Sequence, residues 1–151
     1  MNINTISPIL ITLFIIWMNI YVNMKPEWYE QVPKPWFKPP NYLFPIIWTF
    51  TYIYFTYSWV HNVNNNFVSW FYIFYIILNG YWTYMFFEMK RLLISVILIL
   101  LMIYVCVVLS LYTKDRIFFM IHIIWLFYAF FMNVYFLNVL NDDIVHKEPL
   151  N

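Results

Sequence analysis

Asparagine amides and indole N–H groups recur at helical spacing in three uncharged stretches of the chain. Asn79 is followed by Trp82 three residues on and by Phe86 seven residues on. Trp125, Ala129 and Asn133 stand at four-residue steps, and Trp48, Tyr52, Phe55 and Trp59 repeat the same spacing. Each set falls on one face of a helix. Flat rings with an occasional donor suit a flat, largely apolar ligand with a few polar edges, such as a tetrapyrrole or a sterol. The same stripes also serve helix–helix packing, and an Asn in an apolar medium often bridges two helices. With 16 Phe, 14 Tyr and 8 Trp in 151 residues, such stripes also arise without a ligand, so spacing alone leaves pocket and packing both open.

Other chemistry is sparse. His61 and His146 fall in a loop and a tail, and His122 lies near the end of an apolar tract. No His, Cys or carboxylate cluster has metal-ligand spacing, so no metal or required cofactor is expected. For His122, a hydrogen-bonded histidine at a helix end stands against a haem axial ligand. No nucleophile–base set, glycine-rich phosphate loop or carboxylate pair lies in the apolar tracts. Glu88 flanks Lys90 and Arg91 and reads as a solvated turn residue. The single cysteine, Cys106, excludes an intrachain disulfide and reads as a small apolar filler. A net charge of +1 offers no basic face to nucleic acid.

The elements that must position these residues follow from charge. The chain is 64% hydrophobic and 10% charged, too little charge to cover a water-soluble surface. The stretches 1–24, 39–87, 92–113 and 117–141 carry no Asp, Glu, Lys or Arg. A bilayer core takes roughly 20 helical residues. Five spans therefore fit, at about 6–23, 42–60, 67–87, 92–112 and 117–140, with the polar run 61–66 as a turn between the second and third. Continuous apolar runs without period-two alternation specify helices rather than barrel strands. The expected fold is an all-α membrane protein, a five-transmembrane-helix bundle in one domain, 1–151. The first tract has no basic residue before it and no small-x-small cleavage site, so it reads as a retained helix.

Five spans put the termini on opposite sides of the membrane. Lys114 and Arg116 mark one side; Lys25, Lys34, Lys38, Lys90, Arg91 and Lys147 mark the other. The positive-inside bias places the first loop and the carboxyl terminus in the cytoplasm. That loop, 24–41, holds Pro26, Pro33, Pro35, Pro39 and Pro40 interleaved with Trp28, Tyr29, Trp36 and Phe37. Prolines fix φ and remove donors, so an ordinary helix is not expected here. A disordered linker would be polar and poor in aromatics. The loop reads as a lid packed on the bundle end, with an interfacial aromatic belt as the alternative.

Three ordered motifs carry a family resemblance. Trp28-Tyr29, the run Lys34-Pro-Trp-Phe-Lys-Pro-Pro40 and Phe44-Pro-Ile-Ile-Trp-Thr49 form the first. Asn79-Gly-Tyr-Trp-Thr-Tyr-Met-Phe-Phe87 forms the second, and Trp125-Leu-Phe-Tyr-Ala129 with Met132-Asn133 the third. Together they resemble the tryptophan-rich translocator/sensor family (TSPO/TspO). The resemblance implies a five-helix fold, a first loop closing a ligand cavity, and a homodimer. Family ligands are porphyrins such as protoporphyrin IX and haem, and in animals cholesterol and drug-like compounds. Carried over by position, Trp48 and Asn79 would donate to the ligand. Trp125 and Ala129 would form the fifth-helix wall, and Tyr29 and Pro39 the lid; Tyr52, Trp82 and Phe86 share the aromatic faces. Trp125 matches the residue tied in the family to light-dependent porphyrin breakdown.

The chain departs from the family pattern in places. Its only glycine is Gly80, where the family usually has glycines in its first two helices, and Ile121-His122 stand where the family has Pro-Tyr. No basic residue follows Tyr135 until Lys147, so the weak sterol pattern is absent and porphyrin is favoured over cholesterol. The resulting expectation is a membrane receptor or transporter-like binder of porphyrins. A photo-oxidative porphyrin-degrading activity at Trp125 and a structural subunit without a ligand are the alternatives.

Overall fold

The computed structural model describes residues 3–22 and 26–147, with side chains over 6–19, 21–22 and 26–140. Lys25 and the side chains of His146 and Lys147 lie outside the described residues. The described chain is helical and contains no strand. Five long helices, α1 (Ile3–Ile20), α3 (Leu43–Asn62), α4 (Asn66–Thr83), α5 (Leu92–Tyr112) and α6 (Arg116–Lys147), are joined by a short α2 (Glu27–Gln31) in the first loop. The expected first loop had no helix. Pro26 caps α2 with φ −64°, and the next proline is Pro33, so one turn fits between them.

Of the long helices, Leu92–Tyr112 and Arg116–Leu140 are long and apolar enough to cross a membrane. Aliphatic residues fill α5, whereas α3 and α4 dilute theirs with Tyr, Trp, Thr and Asn. The bundle's outer faces are nonetheless largely apolar. Trp17 on α1, Ile53 on α3, Trp70 on α4, Leu93 on α5 and Ile124 on α6 are all at least half exposed. A water-soluble bundle puts charge there; one solvated by lipid does not need to.

Local signals set the helix ends. Asn65 precedes α4, and its side-chain oxygen accepts the Val68 N–H at 3.3 Å, satisfying one of the first-turn donors. Asp115 precedes α6, and its carbonyl accepts the Phe119 N–H at 3.2 Å, the first bond of that helix's ladder. Its carboxylate sits at the positive end of the helix dipole. α4 does not stop cleanly but widens into a π-turn, Tyr84–Glu88. The Met89 N–H reaches back to the Tyr84 carbonyl at 3.1 Å, and the Arg91 N–H to the Met85 carbonyl at 2.8 Å. Lys90 then takes φ 53°, a left-handed conformation that lets the chain reverse into α5 at some strain. The π-turn turns Phe86 and Phe87 toward the first loop.

Packing runs α1 against α3 and α4, α4 against α5, and α5 against α6. The buried face of α5 follows a helical stripe: Ser95, Ile99, Met102, Cys106 and Leu109. Aromatic contacts seam the other helices. Phe55 stacks on Tyr75 with ring centroids 4.2 Å apart, and Tyr54 on Phe118 at 4.0 Å. α1 meets α4 at Gly80, where a Cβ would stand at ordinary contact distance, 3.4 Å, from the Ile15 side chain.

Candidate functional site

A cavity of about 1200 Å³ lies between α1, α3 and α4, with α2 at one end. Tyr29, Trp48, Tyr52, Asn79 and Trp82 all line it. Trp48 is the hub of the aromatic wall. Its ring centroid is 6.0 Å from that of Trp82 and 6.1 Å from that of Tyr52, tilted by about 30° to each. Two helices thus present their rings to one space, as the four-residue spacing on α3 and the three-residue step on α4 require.

The polar groups of this wall form a short relay. The Asn19 amide donates to the Tyr52 hydroxyl at 2.9 Å, and that hydroxyl donates to the Asn79 side-chain oxygen. The Asn79 amide nitrogen, on a residue 1% exposed, has no hydrogen-bond partner. A buried amide donor left open costs roughly 1–3 kcal/mol, and this nitrogen has essentially no surface open to the cavity. Trp82 is oriented from behind, since its indole N–H donates to the Asn133 side-chain oxygen at 3.2 Å. Asn133 is itself anchored on the Ala129 carbonyl at 2.8 Å.

The first loop is stitched over the neighbouring end of the bundle. The Trp28 indole donates to the Phe87 carbonyl at 3.0 Å, using a carbonyl at the π-turn. The Tyr29 ring packs against Phe86, Phe87 and Phe136 at centroid distances of 6.1, 5.7 and 5.3 Å. The Phe37 carbonyl accepts the Tyr128 hydroxyl at 3.0 Å. The Lys34 ammonium bonds the carbonyls of Tyr29 and Val32 and lies 4.2 Å over the Tyr29 ring. Burial, with Glu30 nearby, raises the Tyr29 phenol above its ordinary range. Burial lowers the Lys34 ammonium, partly offset by Glu30. Trp36, by contrast, is 95% exposed.

Four expected site residues stand off the cavity wall. Pro39 belongs to the loop beyond it. Phe86 is buried behind it, stacked on Trp82 at 5.8 Å. Trp125 and Ala129 sit on α6, which contributes nothing to the lining. Phe44 lines the cavity and its ring meets Trp125 edge-on at 5.6 Å, so Trp125 is one ring removed from the space. The Trp125 indole N–H is buried without a partner. Further along α3 the expected stripe turns inward: Phe55 and Trp59 are buried against Tyr72, within the core.

Two polar clusters lie off the cavity, the first around a histidine that the sequence singled out and the second unexpected. His122 is buried in the second turn of α6 and hydrogen-bonded, as expected of it, with one ring nitrogen bonded to the Tyr75 hydroxyl and the other 3.5 Å from the Thr51 hydroxyl. It does not line the cavity. At the α5–α6 turn, the Asp115 carboxylate accepts from the Tyr54 hydroxyl at 2.9 Å and from Ser58, which is itself bonded to Tyr72 at 2.5 Å. The Tyr and Ser at 54 and 58 share one helical face, the one available signal. No group of His, Cys, Asp and Glu able to hold a metal occurs among the described residues.

Comparison with known proteins gives two findings. A tryptophan-rich sensory protein of Cereibacter sphaeroides is 31% identical over 83 residues, a match spanning 52% of this chain and 52% of the relative's length. The model of the TspO/MBR family matches residues 6–144.

Proposed function

The chain belongs to the TspO/MBR family of membrane proteins, and from that premise we propose that it is a five-span receptor or transporter-like binder of porphyrins such as protoporphyrin IX and haem. The observation that carries the reading is the cavity of about 1200 Å³, walled by Trp48, Tyr52 and Trp82, with the Asn79 amide side chain also on its lining. A flat apolar macrocycle stacks on indole faces. The loop bearing Tyr29 acts as the lid, pinned by Trp28 to the Phe87 carbonyl and by Phe37 to Tyr128. The loop and carboxyl terminus face the cytoplasm, and the protein works as a homodimer.

The apolar outer faces of all five long helices support five spans. Titrating purified protein with protoporphyrin IX while following tryptophan fluorescence tests the binding. Saturable quenching is expected, weakened about tenfold or more by Asn79→Ala or by Trp48→Leu, since each removes about 1.4 kcal/mol or more of contact. Unchanged affinity in both variants sinks the pocket assignment.

A degradative reading centres on Trp125. The geometry places Phe44 between Trp125 and the cavity, so photochemistry would have to cross one ring contact. It predicts a modified tetrapyrrole that accumulates in light with this protein and not with Trp125→Phe.

A further inference from the structure

The cavity is far longer than its aromatic section. Its α3 wall runs from Tyr42 to Val60, and its α1 wall takes Ile9, Leu13 and Ile16. At 1.5 Å per residue the α3 wall alone covers about 27 Å, of which the part beyond Trp48 is about 18 Å. The cavity therefore has two sections. One is ringed by Trp48, Tyr52, Asn79 and Trp82; the other follows the antiparallel seam of α1 and α3.

The second section is apolar in effect. The Thr12 hydroxyl donates back to the Pro8 carbonyl at 2.9 Å. The Thr56 hydroxyl lies 3.0 Å from Thr12 and 2.8 Å from the Tyr52 carbonyl. Both threonine donors are spent on the protein, leaving the methyls and Ile9, Leu13, Ile53 and Val60 as the surface a ligand meets. The section also opens sideways. Leu13, Ile53 and Tyr57 line it and yet are 56%, 66% and 54% exposed on the outer face of the bundle. The seam is held by two polar clasps, Thr12 with Thr56 and Asn19 with Tyr52. A bilayer is the solvent such a slot would open onto, and it supplies hydrocarbon chains.

We infer that the α1–α3 slot is a second binding compartment for a long hydrocarbon chain, the tail of a ligand whose flat head lies against the Trp48 and Trp82 rings. The head's position rests on the porphyrin-site reading above; the chain's does not. The tail enters laterally between the two clasps and lies along the seam toward Ile9 and Val60. A chain that arrives from lipid leaves no water behind, so its affinity comes from van der Waals packing along the slot and grows with the number of methylenes in contact until the slot is filled.

The test uses the full-length protein in phosphatidylcholine nanodiscs and a hexadecanol carrying a diazirine at its terminal carbon. Photolysis should label the slot, at Ile9, Thr56 or Val60, in a saturable manner. Excess unlabelled hexadecanol should compete; octanol, at equal concentration in the bilayer, should compete about tenfold less well or worse, because it makes far fewer packing contacts along the slot. Leu13→Trp, or Ile53→Trp where the first fails to fold, plugs the slot. Either should cut labelling about tenfold or more while leaving protoporphyrin IX affinity within about twofold.

Unsaturable label spread over outward residues such as Leu10, Trp70 and Ile124 would overturn the slot, as would a plug that leaves labelling intact. Loss of porphyrin and chain binding together in a folded plug variant would overturn the two-compartment division. A labelled slot in a protein that never binds protoporphyrin IX would sink the porphyrin reading and leave the slot standing.

Discussion

Tyr52→Phe removes one oxygen from the cavity wall and is the sharpest probe of how the wall is held. The hydroxyl accepts from Asn19 on α1 at 2.9 Å and donates to Asn79 on α4. It therefore ties both neighbours to α3. Interhelical hydrogen bonds in membranes average about 0.6 kcal/mol each, so two simple losses would cost roughly 1.2 kcal/mol. Asn79 raises the figure. Its amide nitrogen already lacks a partner, and the substitution would strand its oxygen as well, on a residue 1% exposed. Adding part of the penalty for an unsatisfied buried group gives an expected loss of about 2 kcal/mol.

Reversible unfolding by sodium dodecyl sulfate in mixed micelles measures this, and a double-mutant cycle with Asn79→Leu isolates the cause. With leucine at 79 the stranded oxygen is gone, so Tyr52→Phe should cost only about 0.6 kcal/mol, the Asn19 bond alone. A cost that is the same in both backgrounds within about 0.3 kcal/mol would refute the relay, because it would show no coupling between Tyr52 and Asn79.

Three other substitutions or probes follow from the same geometry. Trp28→Phe keeps the ring contacts with Tyr29 and Phe136 but loses the N–H bond to the Phe87 carbonyl. It should cost about 1 kcal/mol of loop docking, read as about fivefold faster ligand release in stopped-flow fluorescence and faster proteolysis between 26 and 41. Asp115→Asn leaves the shape but weakens two hydroxyl bonds to a charge and the favourable charge at the start of α6. A stability loss of about 1–2 kcal/mol is expected, with Asp115→Ala losing more. His122 is 3% exposed, whereas His61 is exposed, so diethyl pyrocarbonate should modify His61 in folded protein and reach His122 only after unfolding.

The positions of the long helices were legible because charge marks three of the connections between them and the uncharged polar run 61–66 marks the other. The fourth expected tract, 92–112, coincides with α5, while 42–60 and 67–87 differ from α3 and α4 by the turn residues at their ends. Spacing could not say which part of a stripe faces a cavity. Trp48, Tyr52, Phe55 and Trp59 are equivalent by periodicity, yet the first two line the space and the last two are buried against Tyr72. Helix crossing decides this, and a crossing depends on two sequences far apart in the chain. The same limit applies to Trp125, whose helix shares its face with Asn133 and still reaches the cavity only through Phe44. The π-turn was illegible for a different reason. Nothing in Tyr-Met-Phe-Phe-Glu forbids a plain α-helix, and the extra residue per turn is stabilised only by what it meets. Phe86 and Phe87 pack on Trp28 and Tyr29, and the Phe87 carbonyl is taken by the Trp28 indole. If that pairing holds the widened turn, the turn and the loop are one unit, and loosening the loop in Trp28→Phe should also let α4 relax toward regular α-helix.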